Sequence, residues 1–228
     1  IEKSRNLMTA RLAMNLGMDT VQEYAQRFGL NDNLPPLLSM SLGAGETTLL
    51  RLTAAYGMLV NGGHKITPSL IDRIQDRHGK TIYRHDSRQC PKCDRVTDMR
   101  RVPFLSDDRP QITSPASAFQ MVSMLEGVVK RGTGRFISNL GLAVAGKTGT
   151  TNDNFDAWFI GFSSNLVIGV YIGFDNPKTL GKFETGSKAA LPVFKHFIEN
   201  TLFKEDFNDF KIPKNIYLTS LNYDTGLK

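Results

Sequence analysis

The sequence predicts an α+β domain in which helices pack on the faces of an antiparallel sheet. Segments with helical spacing of apolar residues lie before and after three extended segments that follow one another closely. Connections this short join antiparallel strands, because parallel strands need a crossover of a dozen or more residues. The 228 residues are 40% hydrophobic, which suffices for one sizeable core or two small ones and excludes a disordered chain.

Three helices are predicted in the N-terminal part of the chain. The first covers about Asn6 to Leu16 and begins just after Ser4. The second has Asp19 as its N-cap and Gly29 as its terminator. The third covers Thr47 to Val60, stops at an Asn-Gly-Gly sequence, and has the apolar content of a more deeply buried helix.

The period of the apolar residues then changes from that of a helix to that of a strand. Residues 69–74 and 81–83 flank an Arg-His-Gly-Lys sequence and predict a small β-ribbon. Ser114 and Pro115 suit the N-cap and first position of a fourth helix, which ends at Gly132. The three extended segments and the closing amphipathic helix cover residues 142–149, 156–162, 166–174 and 187–203.

The formal net charge of +6 would suit a nucleic acid, an anionic membrane surface or an acidic substrate. Much of the excess lies between Arg73 and Arg109, in a stretch with few apolar residues. No aromatic residues interleave with these cations in the manner that stacks bases, and no nucleic-acid-binding signature accompanies them. We therefore expect a solvated basic loop, inserted at about residues 86–111, and no nucleic-acid partner.

The sequence Lys147-Thr148-Gly149-Thr150, at the end of an apolar strand, is the strongest candidate for a binding element. The lysine offers a positive charge and the threonines offer hydroxyl donors to a carboxylate, while the glycine lets an extended ligand approach the strand. Alternatively, the lysine guards an exposed sheet edge and the threonines are ordinary strand residues.

A second motif favours the interpretation of this strand as a binding element. Ser4-Arg5-Asn6 forms a Ser-x-Asn triplet far upstream of the Lys-Thr-Gly strand. These two motifs, together with Ser-x-x-Lys, characterise penicillin-binding proteins and serine β-lactamases. The triplet alone is a weak signal, since it recurs at residues 163–165 and 220–222.

Longer segments resemble the transpeptidase domain of class A, bifunctional penicillin-binding proteins, of the 1A type. The resemblance covers roughly residues 1 to 200 and implies the C-terminal portion of an incomplete, β-lactamase/transpeptidase-like domain in residues 1–203, followed by a tail at 204–228. The segments that carry it, in addition to the two motifs, are residues 27–29, 41–47, 54–56, 61–63, 132–134, 145–152, 156–161 and 173–175.

The resemblance implies a D,D-transpeptidase that cross-links peptidoglycan stem peptides, is acylated by β-lactam antibiotics, and uses neither a cofactor nor a metal. By the family's motifs, Ser4 relays protons to the leaving group and Asn6 hydrogen-bonds the substrate's amide side chain. Lys147 tunes the Ser4 hydroxyl and attracts the substrate carboxylate.

The same motifs imply the substrate contacts. Thr148 and Thr150 bind the carboxylate, and the Thr150 N–H contributes to the oxyanion hole. Gly149 completes the binding strand. The only tryptophan, Trp158, lies on the next strand, where we expect it to pack in the core.

The family's nucleophile motif is missing, because no serine in the sequence is followed by a lysine three positions later. We expect the acylated serine and its base lysine upstream of Ile1, together with the first sheet strands, a glycosyltransferase domain and a membrane anchor. The chain alone is then expected neither to cross-link nor to form a β-lactam adduct. The parent protein is expected at the periplasmic face of the bacterial inner membrane, with the anchor as its only membrane contact.

Two alternatives to a transpeptidase stay open at this point. A related serine D,D-carboxypeptidase or β-lactamase shares the Lys-Thr-Gly chemistry but should lack the class A segments around residues 43–63 and 156–161. A non-enzymatic penicillin sensor would bind its ligand without turnover.

Cys90 and Cys93 enclose a Pro-Lys pair and invite a metal or a redox hypothesis. His78 and His85 lie nearby, but the spacing is irregular, no second cysteine pair is present, and no βαβ pattern surrounds the motif. The resemblance places the domain in an oxidising periplasm, which implies a local disulfide at a loop tip instead.

Overall fold

A computed structural model describes residues 1–86, 88, 105, 107–201, 208–222 and 225–227. The helices and strands of this part of the chain are, in order, α1 (Asn6–Leu16), α2 (Met18–Arg27), α3 (Leu49–Val60), β1 (Arg73–Gln75), β2 (Thr81–Arg84), α4 (Pro115–Arg131), β3 (Ala145–Thr150), β4 (Ala157–Phe162), β5 (Val167–Ile172) and α5 (Leu191–Thr201). Short 3₁₀ helices cover Leu38–Leu42, Arg135–Leu140 and Asn152–Asn154, and a π-helical turn, Gly186–Ala190, leads into α5. None of the helices in these ranges has the length and apolar character needed to cross a membrane.

The central sheet has the strand order β3-β4-β5, and both pairs are antiparallel. Its register sets Ala145 opposite Phe162 and Thr150 opposite Ala157. Strands β1 and β2 form a separate antiparallel ribbon with Ile74 opposite Tyr83. The predicted α+β fold with an antiparallel sheet is therefore confirmed.

Helices cover both faces of the central sheet. Alternate residues of β4 point to opposite faces, and apolar side chains on each face pack against a helix. On one face, Phe159 packs against Phe194 of α5, with ring centroids 4.9 Å apart. On the other face, Phe162 packs with residues of α4, among them Leu125 and Val128. The two clusters together form the core that fixes β3 relative to α4.

The observed ends of the helices agree closely with the sequence signals. The Ser114 hydroxyl accepts a hydrogen bond from the Ser117 N–H at 3.0 Å and caps α4, as predicted. The prediction for α2 was wrong by a short distance, since Gly17 occupies the N-cap and Asp19 lies in the first turn. Gly17 has a φ of +84° and also ends α1, so one left-handed residue reverses the chain between two helices. Asp19 still favours the N-terminus of α2 through its charge.

The basic loop predicted at about residues 86–111 lies largely outside the described residues, and so do Cys90, Cys93 and parts of the tail. Where this stretch is described, its cations are paired locally. Arg88 binds Asp86 and Arg109 binds Asp107, and each guanidinium holds the pKa of its carboxyl partner well below the usual range.

Candidate active site

Ser4 and Lys147 meet although they lie 143 positions apart in the sequence. The Lys147 Nζ donates a hydrogen bond to the Ser4 Oγ at 2.9 Å and another to the Thr148 carbonyl oxygen at 2.8 Å. Burial lowers the pKa of the Lys147 ammonium, because desolvation penalises the charged form. Since the serine oxygen accepts from the lysine, the hydroxyl proton of Ser4 is free for a second partner.

The loop before α1 presents Ser4 in an unusual backbone conformation. Ser4 has a φ of +50°, in the left-handed region that non-glycine residues rarely occupy. Its N–H donates to the Ile1 carbonyl at 3.0 Å, which closes a tight turn. Asn6 follows as the first residue of α1 and is exposed. The Ser-x-Asn triplet therefore lies at a helix N-terminus with its serine directed at β3.

Strand β3 is an edge strand in the part of the chain that the structure describes, where it pairs with β4 alone. Alternate backbone N–H and C=O groups of an edge strand are directed away from its neighbour and are open to an added ligand strand. This is the geometry that the sequence predicted for Lys147-Thr148-Gly149-Thr150.

The two threonine hydroxyls of β3 are oriented by residues outside the motif. The Thr148 Oγ1 shares a hydrogen bond with the Thr133 Oγ1 at 2.8 Å. The Thr150 Oγ1 accepts from the Gly186 N–H at 2.9 Å, so the Thr150 hydroxyl proton is left for another acceptor. Thr133 and Gly186 were missed as site residues, because neither contact follows from local spacing.

Gly149 has a packing role in addition to the one predicted from sequence. A Cβ at this position would lie 3.1 Å from the Trp158 Cβ, tighter than most real contacts. Trp158 itself is half-buried, and its ring lies 4.7 Å from that of Tyr171. Our expectation that Trp158 packs in the core was therefore wrong, since it lies beside β3 and Tyr171 on the sheet surface.

The described ranges contain no group of three or more His, Cys, Asp or Glu side chains that could hold a metal ion. His64 contacts the Arg109 carbonyl and His196 contacts Asn200. The site that Ser4 and β3 form presents a lysine ammonium, hydroxyl groups and an open strand edge.

Comparisons with known proteins show the family to which the chain belongs. Residues 1–199 match the family model of the penicillin binding protein transpeptidase domain. Penicillin-binding protein 1A of Rickettsia bellii is 43% identical over 229 residues, which cover 99% of this chain and 29% of that protein. The chain thus spans about three tenths of the length of this relative, and similar shares of other curated relatives.

Solved structures share the fold. The crystal structure of penicillin-binding protein 1A from Haemophilus influenzae superposes with a TM-score of 0.78 at 28% identity, over 99% of this chain and 37% of that one. PonA1 from Mycobacterium tuberculosis, in complex with penicillin V, has a TM-score of 0.68 at 19% identity, over 92% of this chain and 56% of that one. From its family match, its relatives and the geometry of its two motifs, this chain belongs to the family of penicillin-binding protein transpeptidase domains.

Proposed function

We propose that this chain supplies two of the three catalytic motifs of a D,D-transpeptidase that cross-links peptidoglycan stem peptides. The hydrogen bond of 2.9 Å between Lys147 and Ser4 carries the proposal, because it joins the Ser-x-Asn and Lys-Thr-Gly motifs in one site. A half-buried cation on a serine hydroxyl is an arrangement suited to moving a proton.

The proposed reaction proceeds through an acyl-serine. The nucleophilic serine attacks the carbonyl carbon of the penultimate D-Ala, the C–N bond breaks, and the terminal D-Ala leaves as an amine that has gained one proton. An amine of a neighbouring stem then attacks the ester, loses a proton, and restores the serine hydroxyl. Ser4 relays the proton to the leaving amine, since its oxygen accepts from Lys147 and its own hydrogen is free to be donated.

The substrate lies along the free edge of β3 in this proposal. The Thr148 and Thr150 hydroxyls bind its terminal carboxylate, and the Lys147 charge attracts the same group. Asn6 hydrogen-bonds an amide of the stem peptide. The Thr150 N–H contributes to the oxyanion hole, and Gly149 keeps side-chain bulk away from the strand edge.

The acylated serine and its lysine base belong to a segment outside these 228 residues in this proposal, because the sequence contains no Ser-x-x-Lys motif. The chain by itself is then inactive, since transpeptidation needs nucleophile, base and oxyanion donors in one geometry. We place the longer protein at the periplasmic face of the bacterial inner membrane, where it meets stem peptides and β-lactam antibiotics.

Intact-mass spectrometry after incubation with penicillin tests the proposal. The 228-residue chain and the longer protein that includes the upstream Ser-x-x-Lys segment are compared. We expect an adduct on the longer protein alone, and a slower reaction in its Ser4→Ala variant. An adduct on the short chain would place a nucleophile within these residues, and no adduct on either would refute the transpeptidase assignment.

The fate of the adduct separates the related activities. A transpeptidase releases D-Ala from a stem pentapeptide and forms cross-linked product when an acceptor amine is present. Rapid loss of the adduct to water would indicate a β-lactamase, D-Ala release without cross-linking would indicate a carboxypeptidase, and an adduct with no D-Ala release would indicate a penicillin sensor.

A further inference from the structure

The segment that precedes Ser4 is attached to the C-terminal end of α4 by an ion pair. The Arg131 guanidinium donates to both oxygens of the Glu2 carboxylate, at 2.5 Å from Nη2 and 3.3 Å from Nε. These residues lie 129 positions apart, and the Glu2 side chain is only 21% exposed. A two-point contact between guanidinium and carboxylate fixes orientation as well as distance.

The end of α4 is also shaped to receive the Glu2 backbone and side chain. A Cβ at Gly127 would lie 2.0 Å from the Glu2 Oε1, and a Cβ at Gly132 would lie 2.2 Å from the Glu2 carbonyl oxygen. The same carbonyl accepts a hydrogen bond from the Thr133 N–H at 3.1 Å. Gly132 leaves no room for a side chain beside the Glu2 backbone, whereas a side chain at Gly127 would push the Glu2 carboxylate out of its place. Glu2 is thus held by its charge, by its backbone and by the space that these two glycines leave.

This attachment connects the two halves of the candidate site. On one side, Glu2 is two residues from Ser4, whose left-handed backbone persists only if the surroundings hold it. On the other side, the Thr133 hydroxyl bonds to that of Thr148, the neighbour of Lys147 in β3. The end of α4 therefore contacts both the loop that carries Ser4 and the strand that carries Lys147.

We infer that the Glu2–Arg131 ion pair is a positioning element of this site, which holds the Ser4 hydroxyl against Lys147 for proton transfer. The inference rests on the proposed function. Both residues act through Ser4 in this role, since Arg131 binds Glu2 and Glu2 lies two residues before Ser4. Loss of the pair frees the Ser4 loop, and the chemical step slows because a proton relay depends steeply on geometry.

Acylation kinetics of the longer protein with penicillin V test this role. The rate constant of acylation, k2, and the dissociation constant of the non-covalent complex, KS, are measured separately for each variant. Arg131→Ala should lower k2 by about tenfold or more, while KS changes by less than about twofold because the β3 threonines are intact. Arg131→Lys should have a k2 between those of Arg131→Ala and the wild type, since lysine keeps the positive charge but not the two-point contact of the guanidinium.

Two further variants control the experiment. Lys130→Ala removes the adjacent cation of α4, which pairs with Glu126 at 3.0 Å and not with Glu2, and should leave k2 unchanged. Glu2→Gln keeps the shape of the side chain and should lower k2 even if Arg131→Ala fails to fold. In the double variant, Glu2→Gln should add nothing to Arg131→Ala, because the two residues act as one unit.

The possible outcomes are distinct from those of the proposed function. If wild-type protein is not acylated, the proposed function fails. If wild-type protein is acylated and the Arg131 and Glu2 variants match Lys130→Ala in k2, the positioning role is refuted while the function stands. A rise in KS as large as the fall in k2 would also refute it, because it would indicate a general disruption of the site.

Discussion

The substitution Gly186→Ala tests whether the turn before α5 holds the end of β3 in place. An ideal Cβ at this position would lie 2.3 Å from the Gly149 carbonyl oxygen and 2.4 Å from that of Trp158, where real Cβ atoms essentially never come within 3.0 Å. The methyl group must therefore move by about 0.6–0.7 Å relative to both oxygens. Gly149 and Trp158 are partners in the β3–β4 register, so neither carbonyl yields without disturbing the strand pair.

The expected loss of stability in Gly186→Ala follows from these contacts. Overpacking costs about 1–3 kcal/mol, and loss of the Gly186 to Thr150 hydrogen bond adds about 0.5–1.5 kcal/mol. The free energy of unfolding should thus fall by about 1.5–4.5 kcal/mol. With a urea m-value of about 2 kcal/mol/M, the unfolding midpoint should fall by about 1–2 M.

Urea unfolding followed by circular dichroism measures this change. Ser187→Ala is the matched control, since it removes only the hydroxyl contact with Thr185 at 2.9 Å and should cost less than about 1.5 kcal/mol. If Gly186→Ala lies within about 0.5 kcal/mol of the wild type, the turn does not restrain β3 and the reasoning is refuted.

Two further predictions concern the site itself. Burial lowers the pKa of Lys147, so the unfolded chain binds more protons than the native state at pH values between the lowered pKa and 10.5, and stability should rise with pH in that window. The urea midpoint of wild-type protein should show this rise and that of Lys147→Met should lack it; an equal rise in both would contradict the assignment to Lys147. Thr133→Val removes the partner of the Thr148 hydroxyl and should lower the second-order rate of acylation of the longer protein by about 2–10-fold. An unchanged rate would show that Thr148 needs no such partner.

The fold could be predicted largely from local signals. Ser114, Pro115 and Gly132 bracket α4 because capping and chain termination are properties of a few adjacent residues. Strand β3 was expected from residue 142 but begins at Ala145, because the pairing with β4 starts where Ala145 lies opposite Phe162. The 3₁₀ helix Arg135–Leu140 was not predicted, since short 3₁₀ helices have no strong period of apolar residues in the sequence.

The site was predictable only in part. Lys147 and Ser4 were paired through the family resemblance, because no local pattern brings together residues 143 positions apart. Thr133 lay within a segment that carried the resemblance, yet its contact with Thr148 depends on how α4 packs on β3. The Glu2–Arg131 pair could not be predicted from the sequence, because nothing in the sequence shows which of its many acidic and basic residues the fold brings together.

The left-handed backbone of Ser4 implies a conflict between stability and activity at this position. Glycine or asparagine would adopt the same conformation with less strain, but neither has a hydroxyl to accept from Lys147. A search for stabilising substitutions should therefore favour Ser4→Gly, although this change removes the hydroxyl that the proposed proton relay requires. Methods that optimise this domain for thermal stability need to exclude position 4, because the residue that the backbone prefers cannot perform the chemistry proposed for Ser4.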